Sequence, residues 1–134
     1  VAAMRRAIRR AGLMPHDVDC VSAHGTGTPT NDRVESLAVR TLFGERAWKV
    51  PMSSIKSMLG HTLGAAGAIG AAVSAKAITT GWIPPTTNYA MPDPDCDLDY
   101  VPNVARQVDV NAVLINAFGF GGQNACLIIK RYQP

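Results

Sequence analysis

The hydrophobic positions at the amino end of the chain follow a helical period. Val1, Met4, Ile8 and Ala11 recur on one side of a helix, and arginines occupy the opposite side. Gly12 comes directly after them, where a glycine commonly terminates a helix. The pattern therefore predicts an amphipathic helix that presents one apolar face to a core.

Short apolar runs and helical segments then alternate. Val18, Cys20 and Val21 predict a short buried strand, and residues 50–54 predict another. Between these strands, a helical period closed by Gly44 predicts a second helix. Three polar residues are candidates for its N-cap, namely Thr30, Asn31 and Asp32. The residues predicted to face the core are Val34, Leu37, Ala38, Thr41 and Leu42.

The remaining pattern predicts one more helix and a hairpin. We expect a loop at residues 56–61, a helix at Leu63–Thr80 and an irregular segment at residues 81–111 that is rich in Pro and Asp. Two apolar runs follow, at residues 112–118 and 124–132, with a glycine-rich link between them. The order of helices and strands predicts an α/β layered fold.

Composition narrows the class of protein. The chain has 134 residues, of which 47% are hydrophobic and 17% charged, which suits one globular domain and argues against disorder. Four of the 13 basic residues lie on the first helix, and the other nine are outnumbered by the ten acidic residues. A basic surface spread over a nucleic-acid footprint is therefore not expected. The four are Arg5, Arg6, Arg9 and Arg10.

Cysteine usage and hydropathy predict the compartment. Cys20, Cys96 and Cys126 form an odd set without a CxxC pair, so neither a disulfide framework nor a zinc site is predicted. We therefore expect a reducing, cytoplasmic setting. The longest weakly polar stretch is built mainly from Ala and Gly and includes Lys76, so no membrane span is predicted.

Two histidines follow the predicted strands and are the first candidates for chemistry. His24 and His61 each lie next to a glycine in a loop, and Lys56 precedes the second by five residues. Ligands bind at the strand ends of α/β sheets, and a nearby ammonium favours neutral imidazole. Neutral imidazole donates an N–H to a developing oxyanion. A structural role for each histidine remains the alternative.

Acidic and glycine-rich positions add two further features. Asp32 and Glu35 share one face of the second helix, either as capping residues or as supports for Lys56 or a histidine. Phe120 lies in a glycine-rich strand end that begins at Gly119, where backbone N–H groups suit an oxyanion hole. Phe120 is predicted to be either a core anchor or a gate. The turn lacks the spacing of a dinucleotide fingerprint, because a strand follows it.

The third helix carries a stripe of small residues, and the chain lacks a nucleophile. Glycines recur every third residue and predict close approach of another helix or a second subunit. Two cysteines lie in apolar strands, and the third lies among aspartates, so none is activated. The residues thus predict a donor-rich half-site. The stripe consists of Gly64, Gly67 and Gly70.

Four motifs follow one another along the chain. The first is residues 21–28 followed by Asn31, Asp32 and Glu35, and the second is residues 53–61 followed by 64–67. The third is residues 84–86 with 96–102, and the fourth is residues 116–124. In this order they resemble the motifs of the β-ketoacyl synthases, most closely the discrete enzymes of fatty-acid and aromatic-polyketide assembly. The discrete fatty-acid synthases often carry Glu where this chain has Gly70.

The resemblance implies a role for each candidate residue. His24 and His61 are expected to stabilise the enolate formed from malonyl-carrier protein, Lys56 to orient the histidine network, and Asp32 and Glu35 to support it. Thr26 and Thr28 are expected to line a pantetheine tunnel. The N–H of Phe120, next to Gly119, is expected to complete an oxyanion hole. No metal or nucleotide is implied, because the substrate arrives on the phosphopantetheine of an acyl carrier protein.

The resemblance also implies a thiolase-like fold of which residues 1–134 form part of the carboxy-terminal half. The nucleophilic cysteine is expected in the amino-terminal half of the synthase, together with a further central strand preceding Val1. Expected partners are that amino-terminal part, acyl carrier protein, and a second subunit in a homodimer or ketosynthase heterodimer. A non-catalytic partner subunit, a thiolase and a fragment inactive by itself are the alternatives.

Overall fold

A computed structural model describes residues 1–132. The helices are α1 (Ala2–Arg10), α2 (Pro29–Phe43), α3 (Lys56–Leu59) and α4 (Ala66–Thr80). The strands are β1 (Cys20–Ser22), β2 (Met52–Ser53), β3 (Trp82–Ile83), β4 (Arg106–Gln107), β5 (Ala112–Phe118) and β6 (Asn124–Lys130). Four strands form one sheet in the order β2-β1-β5-β6, with β6 antiparallel to the three others. A separate ladder pairs β3 with β4.

Two hydrophobic cores lie on opposite faces of the sheet. Val21 and Leu114 point towards α1 and α2, where they pack with Met4 and Val39. Alternate strand residues point the other way towards α4, because successive strand side chains face opposite sides. This second core includes Cys20, Val113, Ile115, Ile78 and Ile83. The α/β layered fold predicted from the sequence is confirmed.

Helix α2 begins earlier than predicted. Thr28 is its N-cap residue and Pro29 its first residue, so the three predicted caps lie inside the first turn. Proline fits this position because its missing N–H has no partner there and its backbone angle suits a helix.

The buried face of α2 also differs from the prediction. Val34 and Leu37 are 61% and 57% exposed, and Thr41 is exposed, whereas Glu35 and Ser36 are buried with Val39. Only Leu42 and, in part, Ala38 of the predicted set pack into the core. Hydrogen bonds to Glu35 and Ser36 offset the free-energy cost of burying these polar side chains. These hydrogen bonds, and not the spacing of the apolar residues, therefore decide which face of α2 is buried.

The further strand that was expected before Val1 was predicted to be central, and the sheet has no place for it between β1 and β5. These two strands pair directly in parallel, with Val21 opposite Leu114, and no gap separates them. The outer side of β2 is covered where the Met52 N–H donates to the carbonyl of Asp99, 2.8 Å away. Within residues 1–132, β6 is therefore the edge strand on the other side of the sheet.

Three other boundaries depart from the predictions. Residues 56–59 form the short helix α3 instead of a loop. The predicted helix Leu63–Thr80 starts with a 3-10 turn at Leu63–Ala65 before α4. Strand β6 pairs along β5 as the predicted hairpin but ends at Lys130.

Helical residues 63–80 are long and apolar enough to satisfy the length and composition of a membrane span. The amino-acid sequence predicted no membrane span here, because the stretch is mainly Ala and Gly and includes Lys76. Its mean hydropathy is nevertheless high enough to satisfy the composition of a span. One face of the helix packs on the sheet through Gly70, Ala77 and Ile78, as a layer of an α/β fold does.

Candidate active site

The loop after β1 is held by a buried carboxylate. Glu35 is 1% exposed, and its Oε1 accepts the N–H of His24 while its Oε2 accepts the N–H of Gly25, each at 2.9 Å. The side-chain amides of Asn116 and Asn31 donate to the same carboxylate at 2.9 and 3.3 Å. Burial raises the pKa of Glu35, and these hydrogen bonds oppose that rise. Glu35 thus fixes the backbone that carries His24.

A glycine allows this loop to approach β2. Gly25 has φ +42°, and Ser54 Oγ donates to its carbonyl oxygen at 2.5 Å. A Cβ at this position would lie 2.5 Å from Ser54 Cβ, which no side chain tolerates. The close contact brings the loops after two neighbouring strands together.

The structure brings the two candidate histidines together. The rings of His24 and His61 lie edge to face with centroids 5.8 Å apart, although the residues are separated by 37 positions. The ring of His24 also packs against Phe118, with centroids 5.4 Å apart. His24 is buried, whereas His61 is exposed. Two imidazoles therefore share one site at the carboxyl ends of β1 and β5.

The hydrogen bonding of His61 determines its tautomer. The N–H of Leu63 donates to Nδ1 of His61 at 3.1 Å. Because Nδ1 accepts, neutral His61 carries its proton on Nε2. Nε2–H is then the donor that this imidazole presents.

Lys56 contacts the backbone of the site. Its Nζ donates to the carbonyl oxygen of His24. Burial lowers the pKa of Lys56, and the charge of Glu35 opposes that shift. The ammonium thus lies beside the histidine loop, where it is positioned to act on the charge of the imidazole.

His24 remains neutral over the physiological range. Its pKa is lowered to about 4, chiefly by burial and then by the charges of Lys56 and His61, with Asp32 opposing. The sequence pointed to the ammonium as the cause, and burial is the larger one. A neutral His24 donates an N–H without releasing a proton.

Asp32 and Glu35 have different surroundings. The carboxylate of Asp32 accepts the side-chain amide of Asn31 at 3.0 Å and makes no hydrogen bond to Lys56 or either histidine within the described part of the chain. Its link to the site is electrostatic, whereas Glu35 holds the loop directly. The two threonine hydroxyls, of Thr26 and Thr28, lie 2.9 Å apart at the start of α2.

The glycine-rich turn presents Phe120 to solvent. The ring is fully exposed, which excludes the core-anchor alternative in this chain. The N–H of Gly119 donates to the carbonyl of Gln123 at 2.7 Å and closes the turn. Gly121 and Gly122 both have φ +80°, which keeps the backbone compact around Phe120.

Two cavities meet at Lys56 and His61. One of about 590 Å³ lies against Thr26, Asp32, Thr86 and Tyr100. The other, of about 280 Å³, lies between the ends of β1 and β5 and the start of α4. Lys56 and His61 border both cavities, so the polar groups stand where the two spaces join.

The small-residue stripe has two different environments. A Cβ on Gly70 would lie 3.5 Å from Ile115, so this glycine packs closely on the sheet. Gly64 and Gly67 face open space. The predicted close approach is therefore met inside the chain only at Gly70, and the other two glycines border the smaller cavity.

None of the cysteines in the described part of the chain is an activated thiol. Burial is the largest cause of a raised pKa in all three, to about 12 for Cys20 and about 11 for Cys126. For Cys96, the predicted effect of Asp93 is present, but burial again contributes more. Among residues 1–132, no group of His, Cys, Asp and Glu side chains is arranged to hold a metal ion.

Sequence reasoning overlooked Asn116 and Ser54. Asn116 is 3% exposed in the middle of the apolar strand β5, and Ser54 joins the two loops. The signal for Asn116 was available, because a buried side-chain amide needs hydrogen-bond partners. Its partner, Glu35, lies 81 residues away and was not deducible from spacing.

Comparison with known families decides the identity. A family model described as beta-ketoacyl synthase, C-terminal domain, matches residues 1–90. The chain belongs to this family. Solved ketosynthases agree: the ishigamide ketosynthase/chain length factor superposes with a TM-score of 0.93 at 45% identity, over 97% of this chain and 32% of that one. The thiolase-like fold expected from the motifs is that of these enzymes.

The curated relatives of this ketoacyl synthase domain include a 3-oxoacyl-[acyl-carrier-protein] synthase and a subunit of a polyketide synthase. It is 48% identical to 3-oxoacyl-[acyl-carrier-protein] synthase 2 of Coxiella burnetii, over 96% of this chain and 31% of that protein. It is 50% identical to the tetracenomycin polyketide synthase ketoacyl synthase alpha subunit of Streptomyces glaucescens, over 96% and 30%. The chain thus spans about a third of the length of the relatives it matches.

Proposed function

We propose that this ketoacyl synthase domain supplies the His24, His61 and Lys56 half of the active site of a β-ketoacyl-[acyl-carrier-protein] synthase. The reaction is a decarboxylating Claisen condensation that joins an acyl thioester to a malonyl thioester. The observation that carries the proposal is the adjacent pair of imidazoles, whose centroids lie 5.8 Å apart. The pKa of His24 is lowered to about 4, and Nδ1 of His61 accepts the N–H of Leu63.

Decarboxylation places a charge where these donors lie. The bond between the malonyl carboxylate and C2 breaks, CO2 leaves, and the electron pair forms an enolate on the thioester oxygen. N–H groups of His24 and His61 stabilise that oxygen. Donors fixed in advance are worth most in a site that excludes water, because they need no rearrangement as the charge develops.

Condensation follows from the same enolate. C2 attacks the carbonyl of the acyl group on the nucleophilic cysteine, a carbon–carbon bond forms, and the cysteine thiolate leaves. The N–H of Phe120 completes the oxyanion hole for this second carbonyl, and the exposed ring gates the acyl pocket. Cys20, Cys96 and Cys126 are poor nucleophiles, which supports a nucleophile in an amino-terminal part of the synthase.

The remaining residues orient this machinery. Lys56 fixes the loop of His24 through its carbonyl and disfavours the imidazolium, and Glu35 holds the same loop from the other side. Asp32 supports the site through its charge. Thr26 and Thr28 line the tunnel for the pantetheine arm. No metal or nucleotide takes part in the proposed reaction, because the carrier protein's phosphopantetheine delivers both substrates.

The proposed partners follow from the relatives. One solved relative is a type II polyketide synthase acyl carrier protein in complex with its ketosynthase, and it matches this chain with a TM-score of 0.94 at 38% identity. Another is a ketosynthase in complex with its chain length factor. We propose that this protein works in the cytoplasm on carrier-bound substrates, as a homodimer or a ketosynthase heterodimer.

A second candidate function is that of a non-catalytic partner subunit that sets chain length or docks carrier protein. This second candidate is supported by the solved relative in which a ketosynthase is in complex with its chain length factor. The two functions differ in the need for the histidines, since a chain-length subunit performs no decarboxylation.

The deciding experiment measures CO2 release from malonyl-carrier protein by the complete synthase. We expect His24→Ala and His61→Ala each to lower the rate by about a hundredfold or more, because each removes an oxyanion donor. His16→Ala is the matched control, since His16 lies exposed on the turn Pro15–Asp17. Wild-type rates in either active-site variant contradict the donor role, and absence of decarboxylation in the wild type favours the partner subunit.

A further inference from the structure

The side chain of Asn116 connects three elements of the site. Asn116 lies in β5 two residues before Phe118, and the ring of Phe118 packs against the ring of His24. Its Nδ2 donates to Glu35 Oε1 at 2.9 Å, the same oxygen that accepts the N–H of His24. Asn116 thus fastens the strand that leads to the oxyanion turn to the carboxylate that holds the histidine loop.

A thiol on the neighbouring strand sets the orientation of this amide. Cys126 lies opposite Asn116 in the β5–β6 pair, and its Sγ donates to Asn116 Oδ1 at 3.4 Å. With the amide oxygen taken by the thiol, the NH2 group faces Glu35. A flipped amide would place its oxygen against a carboxylate oxygen, and that contact is repulsive.

We propose that Asn116, oriented by the Cys126 thiol, is a positioning residue for His24. It acts through Glu35: the amide keeps the carboxylate in the orientation that accepts the backbone N–H groups of the His24 loop. Strand β5 and this loop then form one rigid unit, so that the oxyanion turn and the histidine donor keep a fixed separation. The inference rests on the proposed function for its catalytic readout.

The electrostatics of the cluster agree with this geometry. Burial raises the pKa of Glu35, and the Asn116 amide is among the groups that oppose the rise. Loss of the amide therefore favours a protonated Glu35, which accepts hydrogen bonds less well. The other titratable groups around the cluster are Lys56, His24, His61, Asp32 and Cys126.

Two substitutions of Asn116 in the complete synthase test the role. Asn116→Leu keeps the shape and removes the donor, and we expect kcat for decarboxylation to fall about tenfold or more with KM for malonyl-carrier protein nearly unchanged. Asn116→Asp places a carboxyl group against Glu35, and at low pH the pair holds one proton because a second negative charge beside the first is unfavourable. The protonated carboxyl still donates, so the variant works at low pH. As pH rises the pair loses that proton, the two carboxylates repel each other, and the variant fails.

The decisive measurement is the ratio of Asn116→Asp to wild-type activity against pH. The ratio removes the pH dependence that the two enzymes share, and we expect it to fall about tenfold between about pH 5.5 and about pH 8.5. A ratio that is constant over this range, in a folded variant, overturns the proposal. A purely structural role lowers activity equally at every pH.

A matched pair at Cys126 covers the case in which Asn116 variants do not fold. Cys126→Ser keeps a donor for the amide oxygen, and Cys126→Ala removes it. We expect the serine variant to stay within about twofold of the wild type and the alanine variant to lose about threefold or more in kcat. Equal, wild-type activity in both variants contradicts the orienting role of the thiol.

Amide hydrogen exchange separates this inference from the proposed function. Exchange at the N–H groups of His24 and Gly25 reports on the Glu35 contact without any catalysis. We expect both amides to exchange about tenfold faster in Asn116→Leu and in Cys126→Ala than in the wild type. If the synthase proves inactive while exchange changes in this way, the positioning role stands and the reaction is wrong. If exchange is unchanged, the positioning role is wrong.

Discussion

Lys56 donates its hydrogen bond to the carbonyl oxygen of His24, and the carboxylate of Glu35 accepts the N–H of that same residue. The peptide groups on both sides of the imidazole are thus tied to charged side chains. The ring itself is left to pack against His61 and Phe118. The backbone contacts fix the position of His24, and the N–H of its imidazole ring stays available for substrate.

The pKa of His24 tests the electrostatic part of this arrangement. Lys56→Met removes the second-largest cause of the lowered pKa and leaves burial, the largest. We expect the pKa of His24 to rise above about 4 and to remain below its ordinary value of 6.5. The measurement is a titration of the imidazole resonance by NMR in the complete synthase, with Lys76→Met on the exposed face of α4 as control. An unchanged pKa contradicts the role of the ammonium.

Two glycines of one loop provide a matched test of local geometry. Gly25 and Gly27 both have positive φ, but only at Gly25 would a Cβ meet Ser54. We expect Gly27→Ala to cost about 1 kcal/mol of unfolding free energy from backbone strain, and Gly25→Ala to cost distinctly more and to abolish decarboxylation. Chemical denaturation and the decarboxylation assay measure both.

The clash at Gly25 also predicts a rescue. Ser54→Gly removes the two side-chain atoms that a new Cβ would meet at 2.5 Å or less and leaves only Ala23 Cβ, at 3.3 Å. It also removes the hydrogen bond to the Gly25 carbonyl. We expect Gly25→Ala with Ser54→Gly to be more stable than Gly25→Ala alone. Additive losses in the double variant contradict a steric cause.

The exposed ring of Phe120 predicts a separation of stability from activity. Because the ring is fully exposed, we expect Phe120→Ala to leave the melting temperature unchanged. We expect slower acyl transfer and nearly unchanged malonyl decarboxylation, since the gate acts on the acyl pocket. Val104→Ala, at a residue 74% exposed on the irregular segment, is the control. Unchanged acyl transfer contradicts the gate.

Alkylation locates the nucleophile. Burial raises the pKa of Cys20 to about 12 and that of Cys126 to about 11, so both stay as thiols near pH 8 and react slowly with iodoacetamide. We expect the first alkylated cysteine of the folded synthase to lie outside this domain, as mass spectrometry of the digest identifies it. Rapid alkylation of Cys126 instead favours a thiolase-like late nucleophile.

The sequence predicted those parts of the molecule that depend on local pattern. The apolar runs at β1, β5 and β6 and the glycines that follow α1 and α2 were predictable from hydrophobic period and backbone freedom, which neighbouring residues determine. The buried face of α2 was not predictable in this way, because Glu35 is buried against a hydrogen-bond donor, Asn116, that lies on strand β5. A polar group buried by distant donors leaves no periodic signal.

The candidate site divides in the same way. The types of residue at His24, Lys56 and His61, next to strand ends, indicated donor chemistry. Their proximity depends on the parallel pairing of β1 with β2 and on the Ser54 contact, neither of which spacing reveals. The position of the Lys56 ammonium, on a carbonyl instead of an imidazole, likewise required coordinates.

The direct pairing of β1 with β5 has a consequence for how the domain is made. Val21 and Leu114 are neighbours in the sheet but lie far apart in the chain, so the sheet has contacts of high sequence separation, which form slowly. During synthesis, the His24 loop and Glu35 leave the ribosome long before Asn116 does. Until β5 arrives, the carboxylate lacks its buried donor. Functional assembly of the histidine loop is therefore a late event in folding, and this domain is exposed to aggregation up to that point.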